Sequence, residues 1–399
     1  MPLNIFVWTP FPYAYFALYS ACIFAAVVVR PNPLRRLFFV PLIALSWRLL
    51  YDGQAGYLTS QLWFGWLPAA SDYILLTDVQ REFHRMEDST GRRLRRSERS
   101  SRPIEHSSLL LRIKWALDLF LNARGIGWAH ALRHLRTLHR APRATFLALQ
   151  IARLCTALLL SDLANLHARW NPAFCARLGM ASAGLAWRVV SPVGWAVSAA
   201  SAMSLPHYTA SIVAVALGLS RPQDWPPLFG GLADVVSVRK FWARGWHQLL
   251  RRSLSAHGKW LSTTLRLSPR SRLSLCVHIC TAFFLSGLVH YLGERVPLRR
   301  VGAHSGSLVF FGIQPVGIAL ETLFCFLATK AGAGDALPAV LCRALGLVWV
   351  LVWFALTLPI MQDPLIRAGE LDARVDVSLI MRVWRGSWRL APGQLCPSM

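Results

Sequence analysis

Two histidines carry the sharpest chemical signal in this chain. His247 closes the aromatic, basic segment Phe241-Trp242-Ala243-Arg244-Gly245-Trp246-His247-Gln248. His290 stands near the end of Leu273–Gly293, a run without Asp, Glu, Lys or Arg that is long enough to cross a bilayer. An ionisable side chain inside a span is costly, and its presence marks a candidate functional site. A neutral imidazole in apolar surroundings is a competent general base for an alcohol. Ser286 lies one turn before His290, and Gly287 leaves room for a close approach by backbone or substrate. One histidine on an interfacial segment and one within a span point to chemistry done at a membrane.

Each feature also has a plainer reading. His290 alone fits a core histidine bonded to a neighbouring helix. Phe241, Trp242 and Trp246, with Arg251 and Arg252 behind them, fit an aromatic and basic anchor at headgroup level. Glu321 lies inside an apolar run and needs a partner there: Arg153, a loop arginine or a substrate group. A structural ion pair satisfies it as well as catalysis does, and the same holds for Asp72 and Asp118. His278 and His304 stand alone and are read as structural or exposed. The eight cysteines are scattered without a Cys-x-x-Cys or a Cys/His cluster, so neither a disulfide framework nor a metal site is expected. The chain has no glycine-rich phosphate loop, Gly-x-Ser-x-Gly elbow or His-Glu-x-x-His.

The elements that must position these residues follow from composition. Of 399 residues, 54% are hydrophobic and 16% charged, which is too little charge for a soluble chain of this size. The net charge of +24 admits a nucleic-acid reading. The basic residues, however, sit in loops between apolar runs, as in the arginine-dense stretch 78–144. That pattern favours membrane lipid as the partner and excludes nucleic acid. The apolar runs are Ile5–Val29, Leu37–Leu50, Leu58–Leu76, Thr145–Leu160, Val189–Ser220, Leu273–Gly293, Ser305–Ala328 and Ala344–Met361. Pro10 and Pro12 lie near the start of the first, which is read as an uncleaved span with a lumenal N-terminus. Arg153 interrupts the fourth, and Pro206 is expected to break the fifth into a span and a re-entrant piece. Thr77–Ser108 is read as poorly ordered at its centre. Ser108–Leu121 is read as an interfacial helix with Leu109, Ile113, Ala116, Leu117 and Phe120 on one face, and Arg112 and Lys114 elsewhere. The expected fold class is all-α, a polytopic transmembrane bundle of about eight spans.

In order, the chain carries Asp72-Tyr73-Ile74-Leu75-Leu76-Thr77, Arg124-Gly125-Ile126-Gly127-Trp128, Trp225-Pro226-Pro227-Leu228-Phe229-Gly230, Ser237 to Arg251, the His290 run and Phe310 to Glu321. This series resembles the wax synthase-like branch of the membrane-bound O-acyltransferases. It is most similar to fungal members that acylate hydroxyls of secondary metabolites, often terpenoids. The Phe-Trp-x-x-x-Trp-His block combined with the Ser-Gly-x-x-His block carries the specificity, since either alone is weak.

The resemblance implies N-terminal spans over 1–57, an acyltransferase core over 58–365 and a tail over 366–399. It implies an acyl-CoA co-substrate such as acetyl-CoA, a hydrophobic alcohol acceptor, no tightly bound cofactor, and residence in the endoplasmic reticulum as a multi-pass protein. His290 matches the family's intramembrane histidine, taken as the base. Trp246 and His247 match its second signature, where sterol and diacylglycerol acyltransferases carry Asn at the His position. His247 is therefore the second candidate catalytic residue, with a positioning or oxyanion-stabilising role. Arg244, Arg251 and Arg252 are candidate ligands of the CoA phosphates, and Trp246, Ser286 and Glu321 are further candidate substrate contacts. Two alternatives stay open: a wax ester synthase using long-chain alcohol and fatty acyl-CoA, and a transporter. The latter would require repeats and paired discontinuous helices, which are not seen in the sequence.

Overall fold

A computed structural model describes residues 13–52, 55–85, 103–131, 142–332, 338–371 and 378–386. The described residues are helical, with a single isolated antiparallel bridge between Arg85 and Trp128. Five helices are long and apolar enough to cross a membrane: Arg143–Trp170, Leu185–Ala216, Arg272–Arg299, Ser307–Lys330 and Ala339–Arg367. At about 1.5 Å per residue, each exceeds a hydrocarbon layer of about 30 Å. No more than 33% of any span's apolar window is buried inside the protein, so most of each apolar surface is left for lipid.

The first three apolar runs behave differently. Ile5–Val29 yields the helix Tyr13–Val28, and Leu37–Leu50 yields a 3-10 turn, Pro33–Phe38, followed by the helix Phe39–Asp52. Leu58–Leu76 is not one helix. It divides into Tyr57–Gly65, Leu67–Ser71 and a π-turn, Asp72–Leu76. Pro68 cannot donate to a continuous ladder. At the far end the Thr77 hydroxyl donates to Asp72 Oδ1 at 2.5 Å and closes the turn. By length and composition the described residues thus provide five spans, not the expected count of about eight. Pro10, Pro12, the run Arg92–Arg102 and Cys396 lie outside the described residues.

The chain divides into two compact units. One comprises 10–139 and 249–296. Its core joins Tyr19, Ile23, Leu42, Trp63, Phe64, Ile74, Val289 and Val296. The helix Tyr13–Val28 ends with unsatisfied carbonyls, as every helix does. Gln80 Nε2 donates to Val27, Val28 and Val29 oxygens at 2.7, 3.0 and 2.8 Å, and Arg112 Nη1 donates to Val28 O at 2.8 Å. This corrects the expected face of the interfacial helix, which runs Leu109–Phe120. Arg112, Ala116 and Leu119 are buried, while Leu109 and Leu117 are exposed. The cation turns inward because the helix end offers it acceptors and a favourable dipole.

The other unit comprises 140–248 and 297–399. Helices Arg143–Trp170 and Leu185–Ala216 pack along small residues, with Ala157 and Ala164 buried on one and Ser191, Ser201, Ser204 and Ser211 on the other. Small residues let membrane helices approach closely. A Cβ on Gly194 would come within 2.3 Å of His167, and Gln150 Nε2 donates to Ser211 Oγ at 2.8 Å. Pro206 does not break the helix, which runs through Pro192 and Pro206 without interruption. Such prolines are tolerated in spans because neighbouring helices and local hydroxyls re-satisfy the backbone. Arg153 meets its own helix, donating to Gln150 Oε1 at 3.0 Å. Cys175 is disulfide-bonded, a bridge that the scatter of cysteines did not suggest.

Candidate active site

The Trp-His segment is a short folded device. Ser237 caps the turn Val238–Lys240 by accepting from Lys240 N at 3.0 Å. A π-turn follows over Phe241–Gly245, closed by Trp246 N donating to Phe241 O at 2.7 Å. Gln248, itself buried, returns to donate to Trp242 O at 3.2 Å and Trp246 O at 2.7 Å. Gly230 is required beside it, since a Cβ there would meet Arg244 O at 2.6 Å, and its N–H donates to Gly245 O at 2.9 Å.

His247 follows this turn in an aromatic setting. Its ring lies 5.7 Å from Trp246 and 6.4 Å from Phe229, edge-on to the latter. Trp246 stacks on Trp195 at 6.0 Å and on Phe241 at 5.6 Å. His247 Nδ1 is enclosed with no hydrogen-bond partner among the described residues. Burial pushes this imidazole down to about 4, so it is neutral at physiological pH. A neutral ring keeps one N–H donor and one acceptor nitrogen. Arg244 is exposed, and Trp246 is half-buried.

Among the described residues Glu321 is paired with neither Arg153 nor a loop arginine. Its Oε2 accepts from Val238 N at 2.7 Å and from Trp349 Nε1 at 3.3 Å. A carboxylate at the first amide of a helical turn is electrostatically favoured, and here it holds the start of the Trp-His segment.

The unit of 10–139 and 249–296 carries His290, Ser286, Arg251 and Arg252. His290 and Ser286 lie one turn apart on Arg272–Arg299, both half-buried, with Val289 in the core beside them. Gln61 Nε2 donates to the backbone oxygen of His290 at 3.1 Å. It reaches this point because Gly293 leaves a notch, where a Cβ would lie 2.6 Å from the Gln61 amide. Glu294, fully buried, shares the His290 face one turn further on. His278 is structural: its Nδ1 lies 2.8 Å from Ser274 O and 3.2 Å from Ser262 Oγ. Arg251 is half-buried at the start of Arg251–Thr264. Arg252 Nη2 lies 3.7 Å from the fully buried Asp72 Oδ2 and 3.3 Å from Thr77 Oγ1, with the guanidinium 4.6 Å over the Phe83 ring.

The chain is similar to known proteins. The model of the membrane bound O-acyl transferase family matches residues 225–313. Acetyltransferase ple2 of Rhodocybe pseudopiperita is 34% identical, over 90% of this chain and 93% of its own length. Acetyltransferase eriL of Hericium erinaceus is 31% identical, over 93% of this chain and 95% of its own. Acetyltransferase aurG of Calcarisporium arbuscula is 30% identical, over 65% of this chain and 67% of its own. The chain belongs to the membrane bound O-acyl transferase family. It is a membrane acyltransferase. No solved structure matches it.

The stretch matched by the family model contains both histidines, Arg252 and Ser286, and stops short of Glu321. For an acyltransferase, Arg252 has two candidate tasks that separate cleanly. If it neutralises Asp72, Arg252→Ala leaves a buried carboxylate without its cation and costs about 3 kcal/mol. The thermal midpoint is then expected to fall, and Asp72→Asn in the same background is expected to recover most of it. A raised KM for the acyl donor at unchanged midpoint would assign Arg252 to the donor instead.

Gln61, Glu294 and Gln314 were not singled out by sequence. Each is a polar side chain within an apolar helix, the one signal that would have flagged it.

Proposed function

We propose that this acyltransferase transfers the acetyl group of acetyl-CoA to a hydroxyl of a terpenoid or meroterpenoid secondary metabolite, in the endoplasmic reticulum membrane. The observation that carries the reading is similarity over nearly the whole chain to relatives each named an acetyltransferase. His290 is the general base. It takes the hydroxyl proton as the alcohol oxygen attacks the thioester carbonyl. The tetrahedral intermediate collapses by breaking the carbon–sulfur bond, and the imidazolium returns its proton to the departing CoA thiolate. No covalent enzyme intermediate is needed. His247 is assigned a separate task, argued from its own surroundings. A neutral imidazole in an aromatic wall donates one N–H to the carbonyl oxygen as it becomes an oxyanion. The exposed guanidinium of Arg244 serves the CoA phosphates. Glu321 acts through the turn it holds, and the domain division of 1–57, 58–365 and 366–399 stands as part of this proposal.

The test is donor competition. Membranes containing the protein are offered radiolabelled acetyl-CoA and palmitoyl-CoA with a terpenoid alcohol and with a fatty alcohol. Label from acetyl-CoA is expected on the terpenoid alcohol. Transfer of palmitate alone, onto the fatty alcohol alone, would make the protein a wax ester synthase.

A further inference from the structure

We infer that Gln314 is the positioning residue of the Trp-His segment. Gln314 is fully buried in the helix Ser307–Lys330. Its amide oxygen accepts from Trp242 Nε1 at 3.1 Å and from Trp353 Nε1 at 2.9 Å, and its amide nitrogen donates to Phe310 O at 2.9 Å. An amide oxygen offers two lone pairs, and both are taken. The amide has only one workable orientation, because a flip would set its NH2 against two N–H donors.

The neighbouring positions make the grip continuous. Gly317, one turn on, lies beneath the Trp353 indole, where a Cβ would come within 2.5 Å of the ring. Glu321, two turns on, holds Val238 N and Trp349 Nε1. Trp349 and Trp353 are one turn apart on the helix Ala339–Arg367. Glu321 therefore fastens the segment at Val238, before the π-turn, and Gln314 fastens it at Trp242, within the turn, and each fastening also ties in an indole of a second helix. A buried network in which every member is satisfied fixes one geometry. Trp242 is the second residue of the π-turn Phe241–Gly245, which Trp246 closes directly before His247, so the amide sets where His247 begins.

This inference rests on the reading of His247 as a donor to the acyl carbonyl. The test therefore has a readout that needs no acetyl transfer. Gln314→Leu, Gln314→Glu and wild type are purified in detergent, and carbethoxylation of His247 by diethylpyrocarbonate is followed by peptide mass spectrometry. Acetyl transfer is measured per folded enzyme in the same samples. Gln314→Leu is expected to speed His247 modification severalfold and to lower kcat about tenfold, with KM for acetyl-CoA within about twofold of wild type. Gln314→Glu keeps oxygen acceptors for both indoles and is expected to restore protection and most of kcat. If Gln314→Leu does not fold, Trp242→Phe keeps an aromatic side chain, though a smaller one, deletes the indole N–H and is expected to shift both readouts in the same direction by less. Unchanged modification and unchanged kcat per folded enzyme, in Gln314→Leu or, failing that, in Trp242→Phe, would overturn the inference, whatever happens to yield. Wild type that transfers no acetyl group, while the substitution still exposes His247, would leave the positioning role standing and remove the acetyltransferase reading.

Discussion

His290→Ala is expected to lose acetyl transfer by about 10²–10⁴-fold in kcat, the range over which positioned general bases act. The loss is read per folded enzyme, so that stability and chemistry are separated. His290 is only half-buried, and the core contact on that stretch of helix is made by Val289. The tie to Gln61 runs through the His290 backbone oxygen, which the substitution leaves in place. The loss should appear in kcat per folded enzyme, whatever the shift in thermal midpoint. The measurement is single-turnover transfer from labelled acetyl-CoA in detergent, normalised to protein that passes size exclusion as a monodisperse species.

Gly346→Ala is expected to have the second-largest effect, by a different route. Gly346 lies on the helix Ala339–Arg367, and a Cβ there would fall 2.2 Å from the carbonyl oxygen of Val236. The obstacle is backbone, so no rotamer change relieves it. Either the helix or the 236–242 segment must move, and overpacking of this kind costs about 1–3 kcal/mol. The same helix face carries Trp349, Trp353 and Phe354, the last 4.7 Å from the Phe241 ring. A shift of the segment against this face displaces the start of His247. A displacement of about 1 Å can cost on the order of 10²-fold in rate. Gly312→Ala is the control, because a Cβ at Gly312 meets nothing within 4 Å. It is expected to retain activity, while Gly346→Ala loses both thermal stability and kcat. Equal behaviour of the two variants would contradict the close-packed placement of the segment.

How much of this was legible in the sequence depends on the kind of signal. The long apolar helices were, because a span advertises itself by length and lack of charge, and the sequence limits fell within a few residues of Ser307–Lys330 and inside Ala339–Arg367. The run Leu58–Leu76 misled, because hydropathy does not register a single Pro68 or the hydrogen bond from Thr77 to Asp72. Arg112 misled for a related reason. Helical spacing assigns a cation to the wet face unless a helix end waits to be capped, and Val28 is distant in sequence. Pro206 erred in the other direction, since neighbouring helices make a proline tolerable in a span. At the candidate site, the two histidines stood out by residue type and setting. The residues that hold them did not. Gln314 and Gln61 do their work by reaching a particular carbonyl or indole, which depends on which helices become neighbours. Glu321 was visible as a charge within an apolar run, but its partners, an amide and an indole, carry no charge to pair with in the sequence.

The central claim is that His290 accepts a proton, and chemical rescue tests it most directly. His290→Ala is assayed for acetyl transfer with added imidazole over a range of pH. Rescue is expected to saturate with imidazole and to follow the concentration of its free base, because the small molecule takes over the proton. Full activity of His290→Ala without imidazole, or rescue that follows the protonated form, would contradict the assignment.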